Sequence, residues 1–127
     1  MNALTLEWIA KAEGDYASAG REYRARRNPN YDAVCFHAQQ VAEKYLKAWL
    51  QEQGIVFPRT HNLIALLELC LPLDASFESL RGALILLERY AVQYRYPGEA
   101  ADRDDARLAF QTCRAVRTFM RDKLGMT

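Results

Sequence analysis

One stretch of the sequence, residues 30–54, constrains the fold more than any other. At about 100° per residue, its apolar and polar side chains separate onto opposite faces of a helix. The apolar face contains Val34, Ala38, Val41, Ala42, Tyr45, Leu46 and Trp49. The polar face contains His37, Gln40, Lys44, Lys47 and Gln51. Because the apolar face is wide enough to need several covering helices, we predict that this segment is the central helix of the fold.

Both ends of this central helix are marked by residues that start and stop helices. Asn30 is a suitable N-cap, and Asp32 places a negative charge in the first turn, where it complements the helix dipole. Gly54 stands where a residue in the left-handed conformation commonly ends a helix. The predicted helix therefore lies between these positions, and the rest of the chain is expected to cover it.

Four other segments have helical periodicity. They are predicted to span residues 4–26, 60–71, 74–94 and 102–124. Thr60 is the expected cap of the third helix, and either Asp74 or Ser76 caps the fourth. No stretch alternates with period two for long enough to form a strand, and no internal repeat occurs. The sequence thus predicts one all-α domain, residues 1–127, folded as an antiparallel up-and-down bundle of four to five helices.

Composition excludes several classes of protein. The three cysteines are an odd number, and none belongs to a CxxC pair, so we expect buried thiols rather than disulfides or metal ligands. The chain contains no zinc-ligand spacing, Gly-rich phosphate loop or Ser-His-Asp order, and we expect no cofactor and no metal site. It also lacks a signal-peptide pattern and an apolar run of about 18 residues, which predicts a cytoplasmic protein without membrane contact.

The net charge is only +1, so any attraction to nucleic acid depends on where the charges lie. The fifth helix carries a basic stripe formed by Arg103, Arg107, Arg114, Arg117 and Arg121. Phe110 falls in the same stripe, whereas Leu108, Ala115, Val116 and Phe119 point the other way. Such a row can follow a phosphate backbone, and an exposed phenylalanine can stack on a base. The alternative is a solvated face on which the arginine stems partly cover Phe110.

Two other surface features appear in the sequence. A basic cluster ends the first helix, where positive charge suits the helix dipole, and we interpret it as a solvated helix end. Its members are Arg21, Arg24, Arg26 and Arg27. Ile85 and Val92 are branched apolar residues on the polar face of the fourth helix, which favours a partner surface there. The polar face of the second helix with Phe36, and the fifth helix, are alternative surfaces for a dimer.

An antiparallel bundle is expected to bring one set of chemically active residues to a common pole. That set is Lys47, His61, Tyr94, Arg95 and Tyr96, beside the aspartates near Asp102. A histidine that carries a proton and an arginine that stabilises a phosphorane charge are an adequate pair for RNA cleavage. His61 directly follows Thr60, however, and a histidine next to a helix cap can simply bond to the loop.

Three segments together resemble the HEPN (higher eukaryotes and prokaryotes nucleotide-binding) domain family. They read YDAVCFHAQQVAEKYLKAWLQEQG, RTHNL and YAVQYRYP. The resemblance implies a bundle of four or five helices that usually forms a homodimer. Prokaryotic members are often encoded beside a minimal nucleotidyltransferase, and many such pairs act as toxin and antitoxin. The toxic members are metal-independent RNases that carry an Arg-x4-6-His motif late in the bundle.

The family's arginine maps to Arg95, but no histidine occurs between Tyr96 and Asp102. The resemblance therefore implies a HEPN binding module for nucleotide or RNA, paired with a nucleotidyltransferase. The alternatives are an RNase toxin in which His61 completes a composite site with Arg95, and a structural homodimer without catalysis. Tyr94 and Tyr96 are the nearest candidates for adenylylation by such a partner. The predicted binding residues are Lys47, Tyr94, Arg95, Tyr96, Arg107, Arg114 and Arg121.

Overall fold

A computed structural model describes residues 1–126, and within them every regular element is helical. The α-helices are α1 (Ala3–Arg24), α2 (Tyr31–Glu52), α3 (Leu63–Cys70), α4 (Arg81–Gln93) and α5 (Arg103–Lys123). A 3-10 helix, Ala75–Leu80, leads into α4. The predicted all-α class is confirmed. Over the same residues, no helix combines the length and apolar character that crossing a membrane requires.

The predicted ends of the central helix are confirmed. The Asn30 side chain accepts a hydrogen bond from the backbone N–H of Ala33, which satisfies one of the free donors at the start of α2. After the last turn, Gly54 adopts a φ of 72°, the left-handed conformation that glycine reaches without strain. Local chemistry at both ends therefore sets the length of the central helix.

Two other helices begin later than the sequence predicts. Asn62 caps α3 instead of Thr60, because the Asn62 side chain accepts from the N–H groups of both Ile64 and Ala65. The Thr60 hydroxyl instead accepts from the N–H of Asn62 and turns the chain before the helix. Asp74 is a cap as predicted, but it starts the 3-10 helix rather than α4 itself.

The apolar face of α2 forms the centre of the core, as predicted. All seven of its residues are buried, and six of them are fully inaccessible to solvent. Trp49 retains 5% exposure, and its ring centroid lies 4.5 Å from that of the fully buried Phe77. The three cysteines are also buried and free, as expected, and burial raises the pKa of each thiol to about 12.

The helix α3 runs parallel to α2, so the expectation that every successive pair is antiparallel was wrong. His61, just before α3, lies beside Glu43 in the middle of α2. Phe77, which follows α3, contacts Trp49 near the end of α2. The loop of residues 53–62 carries the chain back along the bundle before α3 begins, and a loop of that length permits a parallel neighbour.

The predicted common pole does not form. The connection between α4 and α5 lies at the beginning of α2, where the Ala101 N–H donates to Asp32 at 2.7 Å. His61 contacts α2 at Glu43 instead. Between Asp32 and Glu43 the helix rises by about 16 Å, at roughly 1.5 Å per residue. The predicted site residues therefore separate into two groups along the bundle.

Phe110 is buried, so its predicted exposure on the basic stripe was wrong. Only 4% of the residue is accessible. Its ring stacks on those of Tyr16 and Tyr23, with centroid distances of 5.4 and 5.5 Å. Both tyrosines belong to α1, whose position beside α5 the periodicity of α5 alone does not reveal. Phe110 therefore joins α5 to α1 and is unable to stack on a base from solvent.

The side of α5 opposite the basic stripe is only partly buried. Leu108 is 43% exposed and Ala115 is also exposed, whereas Val116 is buried and Phe119 is partly buried. The helix packs against α1, α2 and α4. Because of these contacts, its buried face lies closer to the arginine stripe than the periodicity predicts. That buried face consists of Ala106, Ala109, Phe110, Cys113, Val116 and Met120.

Candidate functional site

A buried carboxylate, that of Glu43, organises the first group of candidate residues. Glu43 is only 2% exposed. Lys47 Nζ donates to its Oε2 at 3.1 Å, and His61 Nδ1 lies 3.0 Å from its Oε1. Gln40 Nε2 donates to the same Oε1 at 3.3 Å. We call Gln39, Gln40, Glu43, Lys47 and His61 the Glu43 cluster.

Lys47 lies inside the protein, and the prediction that it occupies an exposed polar face was wrong. The residue is 6% exposed. Besides its ion pair with Glu43, its ammonium lies 5.3 Å from the ring centroid of Trp8, in cation-π geometry. Trp8 of α1 covers this part of α2. The charge of Lys47 is therefore matched internally rather than presented to a ligand.

His61 is held by the protein on one side and open to solvent on the other. Its side chain is 81% exposed, although Nδ1 faces the buried Glu43 carboxylate. Gln39, which is 4% exposed, donates to the backbone carbonyl of His61 at 2.8 Å and fixes the loop. A carboxylate that orients an imidazole through one nitrogen leaves the other nitrogen available for proton transfer.

Sequence reasoning missed Glu43, although a signal was present. Gln39, Glu43 and Lys47 are spaced four residues apart, so they share one stripe of α2. That stripe borders the apolar face, where a polar residue is buried if a neighbouring loop covers it. The loop that carries His61 provides this cover.

The second group of candidate residues lies at the turn between α4 and α5. The Tyr94 hydroxyl donates to Asp105 at 2.9 Å. Partial desolvation and this acceptor raise the pKa of Tyr94 well above its usual range. Arg95 and Tyr96 are exposed, and Tyr96 is 60% accessible. Among the described residues, Arg95 has no carboxylate partner, so its guanidinium is free to meet an anion.

The C-terminal half of the basic stripe ties helices together. Arg117 forms a bidentate ion pair with Glu13 of α1, with both N···O distances at 2.7 Å. The Tyr45 hydroxyl donates to the same Glu13, and Arg121 donates to Tyr45 at 3.3 Å. The Arg117 hydrogen bond holds the pKa of Glu13 below its ordinary value. These two arginines therefore serve as links between α5, α1 and α2.

The N-terminal half of the stripe is more exposed but also has internal partners. Arg107 pairs with Asp104 at 3.1 Å on the surface of α5. Arg114 donates to the Tyr16 hydroxyl at 3.2 Å, and its guanidinium lies 5.0 Å from the centroid of Phe110. The arrangement favours a structural role for the stripe over a phosphate track.

Comparison with known proteins identifies the family. The HEPN domain profile matches residues 5–123, nearly the whole chain. This chain belongs to the HEPN domain family. The crystal structure of TT1696 from Thermus thermophilus matches with 28% sequence identity and a TM-score of 0.77, over 94% of this chain and 97% of that one.

A second solved structure supports the same HEPN fold. ST0689, an archaeal HEPN homologue, is 24% identical and aligns with a TM-score of 0.68 over 94% of this chain and 96% of that one. Among curated proteins, none matches the sequence. The family assignment therefore rests on the domain profile, and the two solved structures support the fold.

In this HEPN domain, the two catalytic candidates occupy separate surroundings. His61 belongs to the Glu43 cluster, whereas Arg95 lies on the α4–α5 turn. Neither residue is hydrogen bonded to the other within residues 1–126. A composite site within one chain would require the α4–α5 turn and the loop before α3 to approach each other further.

The HEPN domain also has an open apolar groove between α3 and α4, with a volume of about 570 Å³. Ile85 and Val92, predicted to be exposed, are 46% and 47% accessible. Ile64 of α3 adds a third branched side chain to the groove. Across residues 1–126, no group of three His, Cys, Asp or Glu side chains is arranged to hold a metal ion.

Proposed function

We propose that this HEPN domain is a binding module that holds the phosphate of a nucleotide or RNA at the α4–α5 turn. The observation that carries the proposal is the exposed Arg95, which has no carboxylate partner among the described residues. An arginine matches phosphate geometry through its fork of N–H donors. The exposed Tyr96 lies next to it and offers an aromatic face for a base.

The proposal does not include cleavage, because the turn lacks the histidine of the family's Arg-x4-6-His motif. No histidine follows Arg95 before Asp102. The Tyr94 hydroxyl already donates to Asp105, and its raised pKa makes it a poor general base. Arg95 is therefore equipped to bind charge rather than to complete a hydrolytic site.

A metal-independent RNase is the second candidate, and one observation favours it. The buried Glu43 carboxylate orients the exposed His61 ring in the manner of a general base. Arg95 from the same chain, or from a second copy, would have to approach this imidazole to stabilise the charge of the transition state. The Glu43 cluster is the part of the molecule on which this candidate depends.

Partner binding completes the proposal and rests on the family resemblance. A second copy of the chain would cover Ile85 and Val92 in the α3–α4 groove. A minimal nucleotidyltransferase would adenylylate the exposed Tyr96. Tagged protein purified from its native host is expected to bring down a nucleotidyltransferase and to sediment as a dimer. Recovery of monomer without this enzyme would contradict both partner assignments.

We expect Arg95→Ala to weaken the binding of single-stranded RNA or nucleotide by about tenfold. The reason is the loss of charge-assisted hydrogen bonds to phosphate, which are worth roughly 1.5–3 kcal/mol. Fluorescence anisotropy of labelled RNA in EDTA measures the affinity, and a gel of the same samples shows whether the RNA stays intact. Arg59→Ala is the matched control, since Arg59 is an exposed loop arginine outside the turn.

The same samples separate the two candidate functions. Intact RNA that binds wild type but not Arg95→Ala supports the binding module. Cleavage by wild type that disappears in both His61→Ala and Glu43→Gln supports the RNase instead. Equal affinity of wild type and Arg95→Ala, or no binding of either RNA or nucleotide, would eliminate the proposed binding role of the turn.

A further inference from the structure

The hydrogen bonds around Glu43 are all made by donors. Lys47 Nζ lies 3.1 Å from its Oε2, and the amide nitrogen of Gln40 lies 3.3 Å from its Oε1. An ammonium and an amide NH₂ group donate hydrogen bonds and accept none. His61 Nδ1 lies 3.0 Å from Oε1 and 3.2 Å from Oε2, so this ring nitrogen faces both oxygens. The one group that is able to accept in this arrangement is an ionised carboxylate.

The buried ammonium of Lys47 keeps Glu43 in that ionised form. Lys47 is 6% exposed, and the Trp8 ring covers it with its centroid 5.3 Å from Nζ. A buried charge without a partner of opposite sign is strongly unfavourable. Protonation of Glu43 would leave Lys47 in that state. Because Glu43 is therefore an acceptor, the neutral His61 ring carries its hydrogen on Nδ1.

Lys47 also limits the attraction of Glu43 for a second proton on His61. A carboxylate beside an imidazole favours the imidazolium form, whereas a nearby cation disfavours it. Lys47 and His61 contact the same carboxylate, and Lys47 already neutralises its charge. The lysine thus counteracts the effect of Glu43, which favours a neutral ring.

The other elements packed around His61 leave this balance in place. From α1 comes the uncharged Trp8, and from α4 comes Glu88, whose carboxylate accepts from the N–H of Leu63 at 2.9 Å. Arg59, in the loop before α3, is exposed to solvent. Within residues 1–126, Lys47 is the buried cation that pairs with Glu43.

We propose that Lys47 is a positioning residue that acts on His61 through Glu43. It keeps the ring neutral, with the hydrogen on Nδ1 and the solvent-facing Nε2 as a proton acceptor. The His61 side chain is 81% exposed, so a ligand reaches Nε2 directly. The matching ligand presents a hydroxyl or N–H group, because an outward lone pair repels an anion. The role of Lys47 is independent of the one proposed for Arg95 and requires no RNA cleavage.

Long-range ¹H–¹⁵N correlation spectra of the labelled protein, recorded over the pH range in which histidines titrate, test this role. The chain has two histidines, so His37 serves as an internal reference. At the alkaline end, wild type is expected to carry the His61 hydrogen on Nδ1. Glu43→Gln should mix the two tautomers, since a carboxamide is able to donate as well as accept. Inorganic phosphate should leave the His61 signals unchanged at the same pH.

Lys47→Met should move the pH midpoint of the His61 ring signals upward by roughly one unit, because the carboxylate loses its neutralising cation. Lys47→Gln is a second variant with the same expected shift, and Lys47→Arg should restore the wild-type midpoint. Lys44→Met is the matched control. Lys44 pairs with Asp15 at 2.6 Å beside His37, so its loss should move the His37 signals and not those of His61. Thermal melting checks that each variant is folded.

Three results would overturn the role of Lys47 or the ligand class. They are a wild-type His61 with its hydrogen on Nε2, an unchanged midpoint in a folded Lys47→Met or Lys47→Gln, and a His61 ring that responds to inorganic phosphate. The wild-type spectrum decides the tautomer whether or not the variants fold. Missing RNA binding or cleavage bears on the proposed functions instead, because these spectra contain no RNA.

Discussion

Replacing Glu43 with alanine is expected to lower the free energy of unfolding by about 3–5 kcal/mol. Glu43 is 2% exposed and Lys47 is 6% exposed, so the substitution leaves a buried ammonium without its carboxylate. It also releases His61, whose loop depends on the same carboxylate. Urea denaturation followed by circular dichroism measures the effect.

A double-mutant cycle distinguishes the loss of this ion pair from a general packing defect. Lys47→Met in the Glu43→Ala background should recover part of the stability, because it removes the unpaired charge. Glu68→Ala is the matched control: Glu68 pairs with Arg81 at 2.8 Å on the surface, and exposed pairs contribute about 0–1 kcal/mol. A cost for Glu43→Ala as small as that of Glu68→Ala would mean that water reaches the Glu43 cluster.

Trp49→Ala is expected to cost about 3–5 kcal/mol of stability. The residue is 5% exposed, lies near the end of the central helix and packs against Phe77 at a centroid distance of 4.5 Å. Truncation removes a large apolar surface and leaves a cavity that the surrounding helices fill only partly. Equilibrium unfolding in urea gives the change in free energy directly.

The matched control for Trp49 is an aromatic residue on the same helix. Phe36 is 45% exposed, and Phe36→Ala should change the stability by no more than about 0.5 kcal/mol. A loss below about 1 kcal/mol for Trp49→Ala would show that its side chain is not part of the packed core.

The candidate site was only partly predictable from sequence. Arg95 and Tyr96 were identified from the family's pattern and lie on the exposed α4–α5 turn; their binding role stays a prediction. Glu43 was missed, and Lys47 was predicted on the exposed face of α2 although it is buried. The exposure of a residue at the edge of an apolar face depends on whether another segment covers it. That segment, the loop before His61, is distant in sequence.

The sequence by itself determined the features that local physics controls. The apolar stripe of α2 set its core face, Asn30 and Gly54 set its ends, and the capping residues Asp74 and Asp102 start the elements that follow them. Each of these depends on side chains within about one turn of one another. The family was also recognisable, because its most specific segment lies within the central helix.

Only the tertiary structure decided how these helices meet. It reversed the expected direction of α3, buried Phe110 between two α1 tyrosines, and brought Arg103 to the arginines at the end of α1. Helical periodicity defines which residues share a face, but not which partner covers that face. Which helix covers a face depends on contacts between residues far apart in the chain. A local sequence pattern does not contain the energies of those contacts.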